Sequence, residues 1–519
     1  MAMFLAAAAP LLLIAAAVPA LFFSGRRPGA YPRIAEAAAL AALALVIAEA
    51  ALLATGHAES RTLFLAGAPL LRVDVVAATM ACLVGFVGWV VVRYARTYLD
   101  GEAREGAFHG LLLSVIAAVL FLVQAASLPV LVAAFLGVGI GLRRLLLFYP
   151  QRAEARRAAA KFSLVWGAGD AAIALAALIL WIAFGTADIA VISATIASAP
   201  ATPVAAHVAA GLLVIAAALK TAAFPLHGWL TEVMEAPTPV SALLHAGVIN
   251  SGGVLLILFA DLVQASPGAM AALVMIGGFT ALFGALVMLT QSAVKTALAW
   301  STVSQMGFML LQCGLGLWAL ALLHIVAHSL YKAHAFLGSG TAVKAVKAGR
   351  KPGPVAAPGM AAVAKAFVLA LALYAVVATL FTVLGGAKSP QALALGAILI
   401  FGVAYLVAQG LADAAPMALT RRTATASVLA AFGYFGFQLA ATLIVGDAVP
   451  AAPEAGPLEW ALIVLALASF GGVAVAQALF PHWAHHPSAA GLRVHLANGL
   501  YLNAAFDRLI GGFRVAKPN

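Results

Sequence analysis

The sequence predicts an all-α polytopic membrane protein with about 13–15 transmembrane helices. Of its 519 residues, 65% are hydrophobic and only 9% are charged, whereas about 25% of the residues are charged in a typical soluble domain. A soluble fold of this length cannot bury so much apolar surface. The composition therefore excludes a soluble enzyme, a nucleic-acid-binding protein and a disordered scaffold.

A helix crosses the hydrocarbon core of a membrane with about 20 mostly apolar residues, and the chain contains about fifteen such stretches. Their predicted limits are 3–23, 34–55, 75–98, 107–124, 127–148, 162–185, 204–226, 238–264, 268–290, 294–315, 318–340, 359–384, 391–413, 423–446 and 458–480. The tail 485–516 is amphipathic, so we expect it on the membrane surface or docked on the helix bundle.

Positive charge is divided unevenly between the two sets of alternating connections. One set, together with the tail, holds 22 of the 29 Lys and Arg residues, and the other set holds only Arg61, Arg72 and Lys388. Because Lys and Arg collect in cytoplasmic loops, we expect a multi-pass protein of the cell inner membrane with its N-terminus outside and its C-terminus in the cytoplasm. The net charge of +11 therefore gives no indication of nucleic-acid binding.

Four lysines remain inside predicted spans: Lys220, Lys295, Lys332 and Lys365. A lysine near the bilayer centre costs about 2.5–3.5 kcal/mol to insert. Lys295 and Lys365 lie near helix starts, where a long side chain can reach the interface. Lys220 and Lys332 are deeper, which favours a functional role for both.

The first candidate site surrounds Lys220. This lysine precedes Pro225 by five residues, and proline interrupts a helix because it removes a backbone donor. An interrupted membrane helix survives only where it is buried in protein or lines a wet cavity, and such breaks form ion sites in transporters. Glu232 and Glu235 follow as accessory candidates, and His245 lies two turns into the next helix, as part of the same path or as a packed polar residue.

The second candidate site is a polar stripe on one predicted helix. His324, His328 and Lys332 are spaced i, i+4 and i+8, so they share one face of the helix. Imidazole titrates near neutrality and passes protons, and the stripe therefore predicts a proton path. Two histidines at i and i+4 also suit zinc, but no HExxH motif or nearby carboxylate accompanies them, so we expect no metal here. His334 points toward another neighbour.

Acidic residues are rare at membrane depth. Asp170 lies deepest in its span and is an accessory candidate for the polar path, whereas Glu49, Asp261 and Asp413 lie nearer span ends and are expected at the interface. The two cysteines are too few for a four-cysteine iron–sulfur cluster, and we expect no cofactor.

Three long motifs resemble those of a known family. PLHGWLTEVMEAPTPVSALLHA at 225–246, KTALAWSTVSQMGFM at 295–309 and HIVAHSLYKAHAFLGSG at 324–340 resemble the proton-translocating membrane subunits of complex I and of Mrp-type cation/proton antiporters. By this resemblance, the family's residues for proton transfer fall on six positions: Lys220 on the broken seventh helix, His245 on the eighth, Lys295 on the tenth, and His324, His328 and Lys332 on the eleventh.

The resemblance also implies an antiporter-like fold with inverted repeats. Its expected divisions are N-terminal helices at 1–106, a first repeat at 107–264, a second and diverged repeat at 265–446, and a C-terminal helix with a cytoplasmic tail at 447–519.

Several features depart from the family pattern. Leu136 stands where the family places its fifth-helix glutamate, the second half offers only GGAKSP at 385–390 with Lys388 as a weak substitute for a broken helix, and no long lateral helix follows. With residues 246–250 and the tail, these departures most resemble the membrane subunits of two-part bacterial inorganic carbon pumps.

The narrower resemblance implies a transport subunit rather than an enzyme. It would conduct protons or sodium ions through the lipid bilayer to drive a zinc carbonic-anhydrase-related partner on the cytoplasmic side. Two alternatives stay open, a proton-translocating subunit of NADH-quinone oxidoreductase and an Mrp-type cation/proton antiporter subunit.

Overall fold

The computed structural model describes residues 2–56, 61–341, 359–410 and 417–510, and it is built almost entirely from helices. The α-helices are α1 Ala2–Ala17, α2 Tyr31–Ala54, α3 Val75–Tyr98, α4 Glu105–Val123, α5 Leu128–Leu146, α6 Ala153–Phe184, α7 Ile189–Ser198, α8 Val204–Lys220, α9 Gly228–Thr231, α10 Thr238–Ala246, α11 Ser251–Leu258, α12 Ala260–Gln264, α13 Pro267–Met288, α14 Val294–Gly314, α15 Trp318–Leu337, α16 Met360–Gly385, α17 Pro390–Gly410, α18 Met417–Val445, α19 Pro457–Ala478, α20 Phe480–Trp483, α21 Pro487–Ala497 and α22 Leu502–Leu509.

The predicted fold class is confirmed. Every predicted span coincides with one or more of these helices, and 12 of the described helices are long and apolar enough to cross a membrane. Large apolar side chains such as Ile182, Val208 and Leu443 project from the outside of the bundle. Lipid is the solvent that such a surface requires.

The helices of the bundle approach one another closely where glycine replaces larger residues. On α13 and α14, a Cβ built at Gly277 would lie 2.7 Å from the Gly307 oxygen, and a Cβ at Gly307 would lie 2.4 Å from the Ala281 nitrogen. Small residues allow this backbone-to-backbone packing, which drives helix association in membranes. The contact fixes α14 against α13, and α14 carries several of the polar groups described below.

A small β-hairpin follows α2 and is not predicted by the sequence. Strands β1 Arg61–Leu65 and β2 Ala68–Val73 pair antiparallel. Ala66 and Gly67 form the turn with φ values of 50° and 81°, the left-handed conformation that two-residue hairpins require.

The hydrophobic core consists of clusters of very different size. One continuous hydrophobic cluster joins the helices from α1 to α15, and Leu502 and Phe506 of the tail pack against it. Helices α16, α17 and α18 form a separate, smaller cluster. The tail is therefore docked on the bundle, and the candidate site residues on α6 to α15 lie within the larger body.

Candidate ion-transfer site

Lys220 is the last residue of α8 and is fully buried. Its Nζ lies 2.5 Å from Asp170 Oδ1 and donates a second hydrogen bond, of 2.9 Å, to the Trp166 carbonyl oxygen. The Trp166 ring centroid is 3.8 Å from Nζ, and that of Phe135 is 5.2 Å away. The ammonium group therefore has one carboxylate, one carbonyl and two aromatic faces around it, which offset the cost of removing a charge from water.

A glycine makes room for this pair. Gly169 precedes Asp170 on α6, and a Cβ built there would lie 2.9 Å from Lys220 Cε. No Cβ normally approaches another carbon so closely, because this distance is well inside the van der Waals optimum of about 3.5–4.0 Å. The missing side chain at residue 169 therefore leaves the space that Lys220 occupies beside Asp170.

The helix break after Lys220 is confirmed. Residues 221–227 leave the helical path before α9 begins, and Ala222 adopts a left-handed φ of 53°. The break is satisfied by protein groups, since Phe224 N donates to Thr280 Oγ1 at 3.1 Å and Trp229 Nε1 donates to the Leu219 carbonyl at 3.1 Å. Partners of this kind are what an interrupted membrane helix requires.

His245 lies fully buried on α10. Its Nδ1 is 3.1 Å from Thr302 Oγ1, and its ring stacks on Phe336 with centroids 4.3 Å apart. Helix α10 ends one residue later, at Ala246. The imidazole is thus held by α14 and α15, the two helices that form the second site.

Beyond α10, Asn250 extends the polar path. Its Nδ2 donates to Ser329 Oγ at 2.9 Å, whereas Asn250 Oδ1 and Ser251 Oγ have no hydrogen-bond partner among the described residues. All three side chains line a closed cavity of about 30 Å³, which is large enough to hold at least one water molecule.

The predicted stripe on α15 is present. The rings of His324 and His328 are 6.0 Å apart, and His324 Nδ1 lies 2.9 Å from Gln312 Oε1. Lys332 is fully buried, and its Nζ donates to Ser301 Oγ at 2.6 Å and to the Leu298 carbonyl at 3.0 Å. Among the described residues, Lys332 has no ion-pair partner.

The stripe borders an open cleft. His324 and His328 line this cleft. Its other lining residues include Ser301, Gln305, Gln312 and Tyr331 of α14 and α15, and Leu395, Leu399, Tyr434 and Phe437 of α17 and α18. Its volume is about 650 Å³. The lining is mostly apolar, and His324, His328, Ser301, Gln305 and Gln312 supply its polar groups. Water needs polar partners as well as room, so these residues mark the part of the cleft where the stripe can meet water.

The remaining candidate residues lie outside the contacts described so far. Lys295 is half-buried at the start of α14, one turn before Leu298, and His334 is exposed. Glu232 pairs with Lys161 at 2.6 Å. Glu235 ends a short 3-10 turn, and its side chain is outside the part of the structure described.

One expectation about helix positions is wrong. GGAKSP, with Lys388, joins α16 to α17 and interrupts neither helix, so it does not replace a broken helix. Leu136 is 45% exposed on the outer side of α5, and Phe135 is the residue of this pair that faces Lys220. The acidic partner of Lys220 comes instead from Asp170 on α6.

One acid near a span end is covered by protein. Glu49 is fully buried, and Gln124 Nε2 donates to both of its carboxylate oxygens at 3.3 and 3.2 Å. The position of Glu49 near the end of α2 did not indicate this burial, because Gln124, which covers the carboxylate, directly follows α4 in the chain. Asp413 lies outside the described residues. Among the described residues, no cluster of three or more His, Cys, Asp or Glu side chains is arranged to hold a metal ion.

Comparison with known proteins defines the class of this fold. Residues 125–379 match the family model described as NADH:quinone oxidoreductase/Mrp antiporter, TM. The structure of the Mrp complex from Dietzia superimposes with a TM-score of 0.60 at 22% identity, covering 98% of this chain and 60% of that one. The chain has the fold of the antiporter-like membrane subunits.

The sequence relatives narrow this class. A protein of Halothiobacillus neapolitanus, named probable inorganic carbon transporter subunit DabB2, is 37% identical over 85% of this chain and 79% of its own length. Subunit DabB of Hydrogenovibrio crunogenus is 45% identical over 51% of each chain, and NADH-quinone oxidoreductase subunit L of Mycobacterium tuberculosis is 36% identical over 53% of this chain and 44% of its own. The chain belongs to the DabB family of inorganic carbon transporter subunits, within the complex I and Mrp antiporter-like superfamily.

Proposed function

We propose that this chain is the membrane subunit of an energy-coupled inorganic carbon uptake complex. It conducts protons or sodium ions across the membrane, and the free energy of that movement drives a carbonic-anhydrase-like partner that takes up carbon dioxide or bicarbonate. The names of its relatives from Halothiobacillus and Hydrogenovibrio support this substrate class.

The observation that carries the proposal is the Lys220–Asp170 pair at the end of an interrupted helix. A buried pair 2.5 Å apart can hold the shared proton on the lysine, with both groups charged, or on the carboxylate, with both groups neutral. These two states have the same net charge, and the gain or loss of one proton from outside the pair changes that charge by one unit. Titratable groups that interact this strongly exchange protons as a unit. The helix break places the pair beside backbone that does not have to remain helical, which allows the pair to separate and re-form.

The second part of the proposed route runs along α14 and α15. His245, His328 and Lys332 are buried within the same group of helices, and His324 and His328 border the open cleft. Neutral imidazoles and a lysine in sequence allow a proton to pass by short steps, because each can both accept and donate. Lys295, at the start of α14, is the proposed end of this route.

We place the partner on the cytoplasmic side and assign the zinc chemistry to it, as a DabA-type subunit related to the carbonic anhydrases. The proposal includes an N-terminus outside and a C-terminus in the cytoplasm of the inner membrane. It is supported by the concentration of 22 of the 29 basic residues on one set of connections, since such asymmetry sets the orientation of membrane helices.

The test is growth at ambient carbon dioxide of a carbonic-anhydrase-deficient bacterium that expresses both subunits. We expect the wild type to restore growth and Lys220→Ala to abolish it, with equal amounts of protein in the membrane. Lys365→Ala is the matched control, because Lys365 lies at the start of α16 with its side chain exposed, and it should grow normally. Growth of Lys220→Ala would refute the proposal.

The same strains identify the coupling ion and test the second candidate. A protonophore that stops rescue identifies protons, and a sodium ionophore that stops it identifies sodium. An Mrp-type antiporter subunit is the second candidate because the fold matches the Mrp complex. Cation-driven proton movement in vesicles containing this chain without its partner would favour that candidate.

A further inference from the structure

Five polar side chains form a charge cluster where the C-terminal tail meets the bundle. The cluster consists of Arg157, Lys161, Glu232, Asn503 and Asp507. Lys161 Nζ is fully buried and lies 2.6 Å from both Glu232 Oε1 and Asp507 Oδ1 and 2.7 Å from Asn503 Oδ1. Arg157 contacts Asp507 and, at 3.5 Å, Glu232, and Asn503 contacts Glu232. Two cations face two carboxylates, so the cluster is electrically balanced.

The tail is held by more than this cluster. Asn503 lies directly over Gly228, where a Cβ would approach its Oδ1 to 1.9 Å, and Gln291 Nε2 donates to the Ala497 carbonyl at 3.3 Å. Leu500 and Tyr501 adopt left-handed φ values of 53° and 59°, which cost L-residues roughly 1–2 kcal/mol each. Surrounding contacts must therefore fix this turn, as expected for a tail that is docked on the bundle in one conformation.

An aromatic triad lies next to the charge cluster. Phe162, Trp166 and Trp229 are buried, with ring centroids 5.2, 5.5 and 6.1 Å apart. Trp229 precedes Glu232 of the cluster by three residues, and its Nε1 bonds to the carbonyl of Leu219, the neighbour of Lys220. The triad therefore contacts the lysine site, and it is joined to the charge cluster along the chain, because Phe162 directly follows Lys161.

One helix carries all three features in order. Along α6, Lys161 belongs to the charge cluster, Phe162 and Trp166 to the aromatic triad, and Asp170 to the pair with Lys220. Nine residues of helix separate Lys161 from Asp170 by about 13 Å. The apolar triad fills this interval, and an apolar constriction stops ions and protons because it excludes water.

We propose that the aromatic triad is a gate between the Lys220–Asp170 pair and the tail end of the bundle, and that the tail keeps this gate closed through Asp507 and Asn503. The inference rests on the proposed function and adds to it a closed state of the ion route. Displacement of the tail would remove Asp507 from Lys161 and Arg157, free Glu232 and Trp229, and let water reach the pair.

The experiment measures passive proton flux through the full chain in liposomes. The vesicles hold a pH-sensitive dye, and a potassium diffusion potential drives protons in the absence of partner and carbon substrate. Asp507→Asn keeps the shape of the side chain but removes its charge. We expect flux to rise about tenfold, which corresponds to a shift of about 1.4 kcal/mol in the balance of open and closed states. Arg508→Gln is the matched control, since Arg508 is the exposed neighbour on the same helix, and its flux should equal that of the wild type.

Three further variants separate gate opening from damage to the fold. Trp229→Leu should raise flux without touching a charge, and combining it with Asp507→Asn should add little, because both act on one gate. Asp507→Asn combined with Lys220→Ala should return flux to the wild-type level, because the leak passes the lysine. Unchanged flux in Asp507→Asn, or a leak that persists in the combination with Lys220→Ala, would overturn the gate. Neither result depends on the growth test, so the two proposals fail separately.

Discussion

Lys220 and Lys332 are two buried lysines that the protein treats in different ways. Both are fully excluded from solvent, and each donates to a backbone carbonyl at about the same distance, 2.9 Å for Lys220 and 3.0 Å for Lys332. Their remaining partners differ. Lys220 faces the Asp170 carboxylate at 2.5 Å, whereas Lys332 faces the Ser301 hydroxyl at 2.6 Å.

This difference separates two ways of holding a proton inside a membrane. The charge of Lys220 is balanced within the protein, and aromatic rings close the site on two sides. Lys332 bonds to neutral groups and lies one helical turn beyond His328, which borders the open cleft. We infer that Lys220 works as a pair that opens and closes, and that Lys332 works as one member of a chain of donors and acceptors that contains no carboxylate.

The largest effect is expected from removing the acid of the pair. Asp170→Ala leaves the ammonium of Lys220 buried without a counter-charge, which typically costs about 3–5 kcal/mol. We expect loss of carbon-dependent growth and a much lower melting temperature of the purified protein.

The double variant Asp170→Leu with Lys220→Met is the control for this prediction. Replacing a whole buried ion pair with apolar groups is often neutral or stabilising, so melting should recover while growth stays absent. A double variant as unstable as Asp170→Ala would show that the pair does not cause the instability.

The second prediction concerns the lysine without a carboxylate. Lys332→Met removes two hydrogen bonds to neutral groups, each worth about 0.5–1.5 kcal/mol, but it leaves no opposite charge unpaired. We therefore expect a small change in melting temperature together with loss of carbon-dependent growth. Destabilisation as large as that of Asp170→Ala would contradict the contrast between the two lysines, and normal growth would remove Lys332 from the route.

The sequence predicted both lysines as functional candidates, but it predicted the surroundings of Lys332 only. The stripe on α15 is local, because residues spaced i, i+4 and i+8 share a face whatever surrounds the helix. Apolar length likewise predicted the membrane helices. Both predictions depend on short-range periodicity alone, and the structure confirms the helices and the placement of His324, His328 and Lys332 on one side of α15.

The partner of Lys220 could not be predicted in this way. Asp170 is 50 residues away in sequence, and only the packing of α6 against α8 brings the two together. Its depth marked it as a candidate, but nothing local indicated which lysine it would meet. The burial of Glu49 could not be predicted for the same reason, since Gln124, which covers it, is 75 residues away.

An intermediate effect is expected where α6 passes the lysine. In Gly169→Ala, the new methyl group lies 2.9 Å from Lys220 Cε, so the side chain must shift and the distance to Asp170 must change. Overpacking of this kind costs about 1–3 kcal/mol. We expect slower growth at ambient carbon dioxide and a moderately lower melting temperature.

Gly167→Ala is the matched control on the same helix. A Cβ built at Gly167 meets no atom within 4 Å, and alanine favours helix by about 1 kcal/mol relative to glycine. Growth and melting temperature should therefore be preserved or improved. If both alanine variants behaved alike, the effect at residue 169 would reflect helix propensity and not contact with the lysine.

The smallest effect is expected at Leu136, the position where the sequence resemblance places the fifth-helix glutamate of the family. If Leu136 faced the lysine, shortening its side chain would disturb the pair. Leu136 instead projects from the outer side of α5, and Phe135 covers Lys220. Leu136→Ala should therefore leave growth unchanged and alter stability by no more than about 0.5 kcal/mol, as exposed substitutions usually do. Impairment as strong as that of Gly169→Ala would mean that α5 is rotated so that Leu136 faces Lys220. The environment of Lys220 would then be set by α5 as well as by Asp170 on α6.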